Sequence, residues 1–116
     1  MQEMENHIKE NGGDMHKLTK ATAIPQKVKD AVWERDGGKC LVCGYYPANP
    51  CCHIVSRAHQ GKGIETNICT LCNEHHRLYD SGTRDQRNTI DGIVVRYMKS
   101  IYGEEWCKED QVYSKW

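Results

Sequence analysis

Two groups of residues in this sequence have the types and spacing for metal chemistry. The first is Cys40-Leu-Val-Cys43-Gly44, followed further along by Cys72-Asn-Glu-His75. A C-x-x-C turn presents two thiolates to one tetrahedral ion, and a glycine after the second cysteine lets the chain close a tight knuckle. Two such pairs supply four ligands, so Cys40, Cys43, Cys72 and His75 are read as a structural Zn2+ site of Cys3His type. Cys69 is an alternative to His75, because Cys69-x-x-Cys72 is itself a C-x-x-C pair. A redox role would need a thioredoxin-like βαβ frame, which the sequence lacks.

The second group is His53, Asn67, His76 and Asp80. On a helix, His76 and Asp80 stand four apart and share a face. Imidazole and carboxylate suit a hard or borderline divalent cation. At about 100° per residue, Cys72 and His75 centre on one direction of such a helix, with His76 and Asp80 about 90° further round. One short helix can therefore hold a structural ion on one side and present a second ion on the other. The plainer alternative is that His76 and Asp80 are ordinary exposed polar residues.

The elements that must position these groups follow from pattern. Cys52–Val55 and Asn67–Leu71 are short β-prone pieces joined by the loop Ser56–Thr66, and Asn73–Asp80 reads as a short helix with Gly82 just beyond it. Upstream, Pro25 sits in a first helical turn, Val28, Ala31 and Val32 recur at helical spacing, and Gly37-Gly38 stops the helix. Downstream, Ile90, Ile93, Val94, Tyr97 and Ile101 fall on one helical face, with Asn88 as the expected cap and Gly103 as the end. Trp106, Val112, Tyr113 and Trp116 are expected to fold back as an aromatic clasp. The organisation expected is a flexible acidic tail over 1–16 and one domain over 17–116. Its core covers about 24–82, with a C-terminal helix and aromatic tail over 83–116.

Composition explains why metal is needed. The chain has 116 residues, with no Phe and only 19 Leu, Ile and Val together. That apolar fraction falls below the rough 20% of a well-stocked core, and small domains with thin cores depend on staples. Seven Cys and six His are in excess. The odd Cys count prevents full disulfide pairing, and the opening residues show no secretory pattern, so a reduced, cytoplasmic location is expected. No apolar run approaches the ~20 residues of a membrane span. The net charge is zero, yet residues 17–39 hold six basic residues against three acidic ones. That local surplus fits either a solvated helix face or phosphate contact.

The run Arg35-Asp36-Gly37-Gly38-Lys39-Cys40-Leu41-Val42-Cys43-Gly44, then His53-Ile54, then Asn67-Ile68-Cys69-Thr70-Leu71-Cys72, then His76, resembles the HNH endonucleases. It is closest to the small zinc-containing phage-type HNH proteins. The resemblance implies an α+β fold with a ββα-metal (His-Me finger) core, a zinc knuckle and flanking helices. It implies a metal-dependent DNA endonuclease, nicking or cutting both strands and leaving 5′-phosphate and 3′-OH ends. His53 then takes the place of the general base, and an imidazole suits that task because its ordinary pKa lies near operating pH. Asn67 matches the residue that orients this imidazole or steadies the loop. His76 and Asp80 match ligands of a catalytic divalent cation (Mg2+, Mn2+ or Ni2+).

Arg57 and Lys62, in the loop between the strands, are candidates for phosphate contact or are solvated loop charges. DNA is the partner implied, with phage terminase or packaging proteins as a further expectation, and the location is a bacterial cytoplasm. Two departures stand out. Cys52 occupies the place where many members carry Asp or His as a metal ligand, so Cys52 is either a spectator or alters the metal preference. His75 stands where the second C-x-x-C commonly ends in Cys. The competing reading is a non-catalytic zinc module that binds DNA or a protein. Cleavage of RNA ranks below cleavage of DNA, since no aromatic base-stacking platform is evident.

Overall fold

The computed structural model describes residues 19–114. The acidic tail expected over 1–16, and Trp116 of the aromatic clasp, lie outside the described residues. The fold is α+β: a two-stranded antiparallel sheet packed among helices. After a helical stretch that closes at residue 22 come α1 (Gln26–Asp36), β1 (Asn49–His53), β2 (Ile68–Leu71), α2 (Asn73–Ser81) and α3 (Arg84–Tyr102). Short 3-10 turns cover Arg57–His59, Glu65–Asn67 and Lys108–Gln111. No helix among the described residues is long and apolar enough to cross a membrane.

Strand β1 begins three residues earlier than the β-prone pattern suggests and ends at His53. Cys52 pairs with Cys69 and His53 with Ile68, and the register is irregular between Asn49 and Cys52. Every residue of β2 is buried, because α1 and the C-terminal elements cover the small sheet. Such a strand reads as a continuous apolar run rather than an alternation.

Helix α1 ends on Gly37 at φ 70°, a left-handed position that glycine takes without steric cost. Its last turn carries a buried polar junction. Arg35 donates through Nε and Nη2 to the Asp36 carboxylate at 2.7 and 3.0 Å, and to the carbonyls of Ile68 and Glu65 at 2.7 and 2.8 Å. Asp36 also accepts from the Tyr97 hydroxyl and the Thr70 amide. Burial lowers the affinity of Arg35 for its proton, but the hydrogen bond and charge of Asp36 outweigh it and raise the pKa. One charged pair thus ties α1 to β2 and α3, with its hydrogen bonds satisfied as a buried pair requires.

Helix α3 corrects two expectations. Its start is a capping box: the Thr83 hydroxyl accepts from the Gln86 amide and the Gln86 side chain accepts from the Thr83 amide. Asn88 lies inside the helix. Its buried stripe is Ile90, Val94 and Met98, while Ile101 is 46% exposed. The apolar pattern over-counted because Ile93 and Tyr97 border the true stripe and Ile101 lies past the part of the helix that meets the core.

The C-terminal residues do fold back, onto the loop between the strands. Trp106 is buried and its Nε1 donates to the Thr66 carbonyl at 2.9 Å. Val112 bridges Gly61, the Lys62 amide donates to Gln111, and the Tyr113 amide donates to Gln60. Gly61 and Gly63 allow this close packing: a Cβ would stand 1.7 Å from the Val55 carbonyl oxygen at the first and 1.9 Å from that of Ala23 at the second.

Candidate active site and metal centre

The four-residue cluster assembles as expected. Cys40 and Cys43 flank a knuckle in which the Gly44 amide donates to the Cys40 carbonyl and the Val42 amide to the Cys40 sulfur. Cys72 caps α2, and His75 lies one turn in. The four ligand atoms all fall within 4.8 Å of one another. Cys43 Sγ is 3.9 Å from Cys72 Sγ, and His75 Nδ1 is 3.6 Å from Cys40 Sγ and 3.3 Å from Cys72 Sγ. A tetrahedral Zn2+ with ordinary bond lengths has S···S edges of about 3.8 Å and S···N edges of about 3.5 Å. The cluster is therefore already the size of a zinc cage. Burial raises the Cys40 pKa, but backbone N–H groups of Cys72, Cys43 and Val42 outweigh it and bring the thiol down to about 7, towards the thiolate that metal binding needs. Cys69 is not part of the cluster. It is fully buried and paired with Cys52 across the sheet, and His75 rather than Cys69 completes the cluster.

The opposite side of α2 faces an open cleft of about 660 Å3, lined by His53, His76 and Asp80 with Cys52 and Arg57. Cys72 and His75 thus point to the cage while His76 and Asp80 reach the cleft, as the angular spacing of the helix requires. His53 is half-buried at the end of β1. Its Nε2 lies 2.8 Å from the Thr22 carbonyl. A carbonyl only accepts, so Nε2 carries the hydrogen and the neutral ring leaves Nδ1 as the proton acceptor. Burial pushes the His53 pKa below its ordinary value; the Thr22 hydrogen bond opposes this, and the charges of Arg57 and His76 add to it.

Asn67 is fully buried and does not orient His53. Its Oδ1 accepts from the Val55 amide at 2.9 Å, and its Nδ2 donates to the carbonyls of Val55 and Lys62 at 3.1 and 2.8 Å. These bonds tie it to the backbone of the loop, and the group hydrogen-bonded to the imidazole is the Thr22 carbonyl. Cys52 is neither remote nor solvent-facing. Its sulfur donates to the His53 carbonyl at 3.7 Å; the neighbouring Cys69, with smaller help from His76, outweighs burial and brings the thiol down to about 6. Cys52 in turn raises the His76 pKa against the effect of burial.

Of the two loop cations, Arg57 lines the cleft and donates to the Thr22 hydroxyl at 3.2 Å. Lys62 is not among the cleft residues, and its carbonyl serves Asn67. Sequence reasoning missed the far wall, where α3 contributes Arg87, Asn88 and Asp91 and the tail contributes Lys108. The available signal was the i,i+4 pair Arg87 and Asp91, which borders the Ile90–Val94 stripe of α3.

No family model, curated protein or solved structure matches this chain. The functional reading therefore rests on the geometry of the two sites and the order of the motifs.

Proposed function

We propose that this chain is a metal-dependent DNA endonuclease of the HNH type, in which β1, β2 and α2 act as a ββα-metal unit. The observation that carries the reading is His53. Its Nε2 is fixed by the Thr22 carbonyl at 2.8 Å, which leaves Nδ1 as acceptor in a cleft shared with His76 and Asp80. An imidazole held in one tautomer, with its pKa pushed down, is neutral and ready to take a proton near neutral pH. In this reading His53 removes a proton from water as the water oxygen bonds to phosphorus and the bond to the 3′ oxygen breaks, leaving 5′-phosphate and 3′-OH ends. His76 and Asp80 would hold a divalent cation such as Mg2+, Mn2+ or Ni2+, which supplies charge stabilisation at the phosphate and the leaving oxygen. Two protein ligands suit a cation that keeps several waters. Cys40, Cys43, Cys72 and His75 would hold a structural Zn2+, which supplies folding energy.

The test is nicking of supercoiled plasmid with Mg2+, Mn2+ or Ni2+, alongside a metal count per chain. Wild type is expected to nick and His53→Ala to lose about 100- to 10,000-fold in rate while keeping its fold. Equal activity of the folded variant removes His53 as base. A second reading, a non-catalytic zinc module binding DNA or protein, draws on one observation. Among the described residues, the cage of Cys40, Cys43, Cys72 and His75 is the one His/Cys/Asp/Glu cluster of metal-holding dimensions. It predicts a single metal per chain and no cleavage with any cation.

A further inference from the structure

The far wall of the cleft carries charges that the ββα unit does not supply, and their pairing differs. Lys108 Nζ lies 2.8 Å from Asp91 Oδ2, and the Tyr79 hydroxyl donates to Asp91 Oδ1 at 2.6 Å. That acid and that lysine are therefore spent on each other. Arg87 stands one helical turn before Asp91 on the same α3 wall, exposed, and among the described residues its side chain makes no hydrogen bond or ion pair. Across the cleft, Arg57 donates only to a neutral hydroxyl, that of Thr22. The cleft thus holds two guanidinium groups without an acidic partner among the described residues, one on the strand-to-strand loop and one on α3.

We infer that Arg87 forms a phosphate subsite on α3, gripping a backbone phosphate beside the one being cleaved, so that a DNA strand lies between Arg57 and Arg87. This inference rests on the nuclease reading for its choice of ligand. A planar, always charged guanidinium suits the task, because it meets two phosphate oxygens at once. Helix α3 supplies rigidity: the Thr83–Gln86 capping box fixes its first turn, and Ile90 and Val94, on the adjoining face of the helix, anchor it in the core. The Lys108–Asp91–Tyr79 contacts keep Asp91 from capturing Arg87, its neighbour at i,i+4 spacing. Arg96, on the same helix but away from the cleft, is a built-in control of equal charge.

The experiment measures binding of a short labelled DNA duplex to the full, zinc-loaded chain carrying His53→Ala, so that nothing is cleaved, across a series of salt concentrations. Adding Arg87→Ala is expected to weaken binding about tenfold and to reduce the slope of log affinity against log salt by about one unit. Arg87→Lys is expected to keep the slope and recover part of the affinity. Arg96→Ala is expected to change neither. Equal effects of Arg87→Ala and Arg96→Ala overturn the subsite, as does an absence of duplex binding by the parent. Thermal melting of each variant verifies folding, and the exposed, unbonded Arg87 side chain makes a folding defect easy to separate. The outcomes also separate the two proposals. Arg87-dependent binding by a protein that nicks no plasmid upholds the subsite and removes the nuclease, whereas nicking with Arg87-independent binding does the reverse.

Discussion

Helix α2 serves two regions of opposite character. On one side Cys72 and His75 meet Cys40 and Cys43, with all four ligand atoms within 4.8 Å of one another and the knuckle's own N–H groups turned onto the sulfur of Cys40. On the other side His76 and Asp80 reach an open cleft of about 660 Å3, where His53 is held by one carbonyl. The first region is closed, with all four positions of a tetrahedron supplied by protein. The second offers only His76 and Asp80, so the cation proposed for it would keep positions for water and phosphate. Structural and catalytic metal sites divide along this line. In a chain with so little aliphatic core, the proposed nuclease would need the closed site first, because α2 must be pinned for stability before it can present His76 and Asp80.

The largest effect should come from breaking the closed side. Apparent metal binding free energies of structural zinc sites, about 10–16 kcal/mol, match or exceed the whole stability of a typical domain, about 5–15 kcal/mol. Strong chelation, or Cys40→Ser with Cys72→Ser, is expected to abolish cooperative unfolding and most of the helical circular dichroism signal. A spectrum unchanged after complete metal removal contradicts the cage. By contrast, damage to the open side should leave the melting curve in place. His53→Ala removes a half-buried ring whose one hydrogen bond is to the Thr22 carbonyl, so the expected loss of nicking comes with little loss of stability.

Asn67 lies between these limits and sharpens the contrast. It belongs by motif to the open site, yet it is fully buried and makes three hydrogen bonds to loop backbone. Asn67→Ala leaves those backbone groups unpaired and should cost about 2–4 kcal/mol of stability, read by denaturant unfolding. A variant with unchanged stability but lost nicking would return Asn67 to a direct role in the chemistry.

How far the sequence could be read follows from the range over which each feature acts. The cage was readable because C-x-x-C and Cys-x-x-His are local, and the knuckle and first turn of α2 fix their geometry within a few residues. The split of α2 into two faces was readable from helical angle alone. The orientation of His53 was not, because the Thr22 carbonyl lies 31 positions away and is a backbone group that no residue type announces. The same holds for the Arg35–Asp36 junction, whose partners Glu65, Ile68, Tyr97 and Tyr102 come from separate elements. Arg87 and Lys108 were hidden for a different reason. Exposed charges have no pattern of their own until the fold decides which face looks into the cleft.

The smallest predicted effect is also the most specific to the open side, since it turns on the charge of one ring. Burial is the main cause holding the His53 pKa below its ordinary 6.5, with Arg57 and His76 adding to it and the Thr22 carbonyl opposing. A base works only when unprotonated, so the nicking rate should be flat above about pH 7 and fall about tenfold per unit once pH drops below a bend that lies under 6.5. The sign for stability runs the same way. The unfolded chain binds the proton more readily than the folded one, so this contribution is present above pH 6.5 and is lost as pH falls through the folded pKa. Arg57→Gln removes a positive neighbour and should move the bend towards higher pH, by a fraction of a unit for a charge screened in an open cleft. A bend above 6.5 in wild type, or one that Arg57→Gln moves towards lower pH, would detach the acid limb from His53.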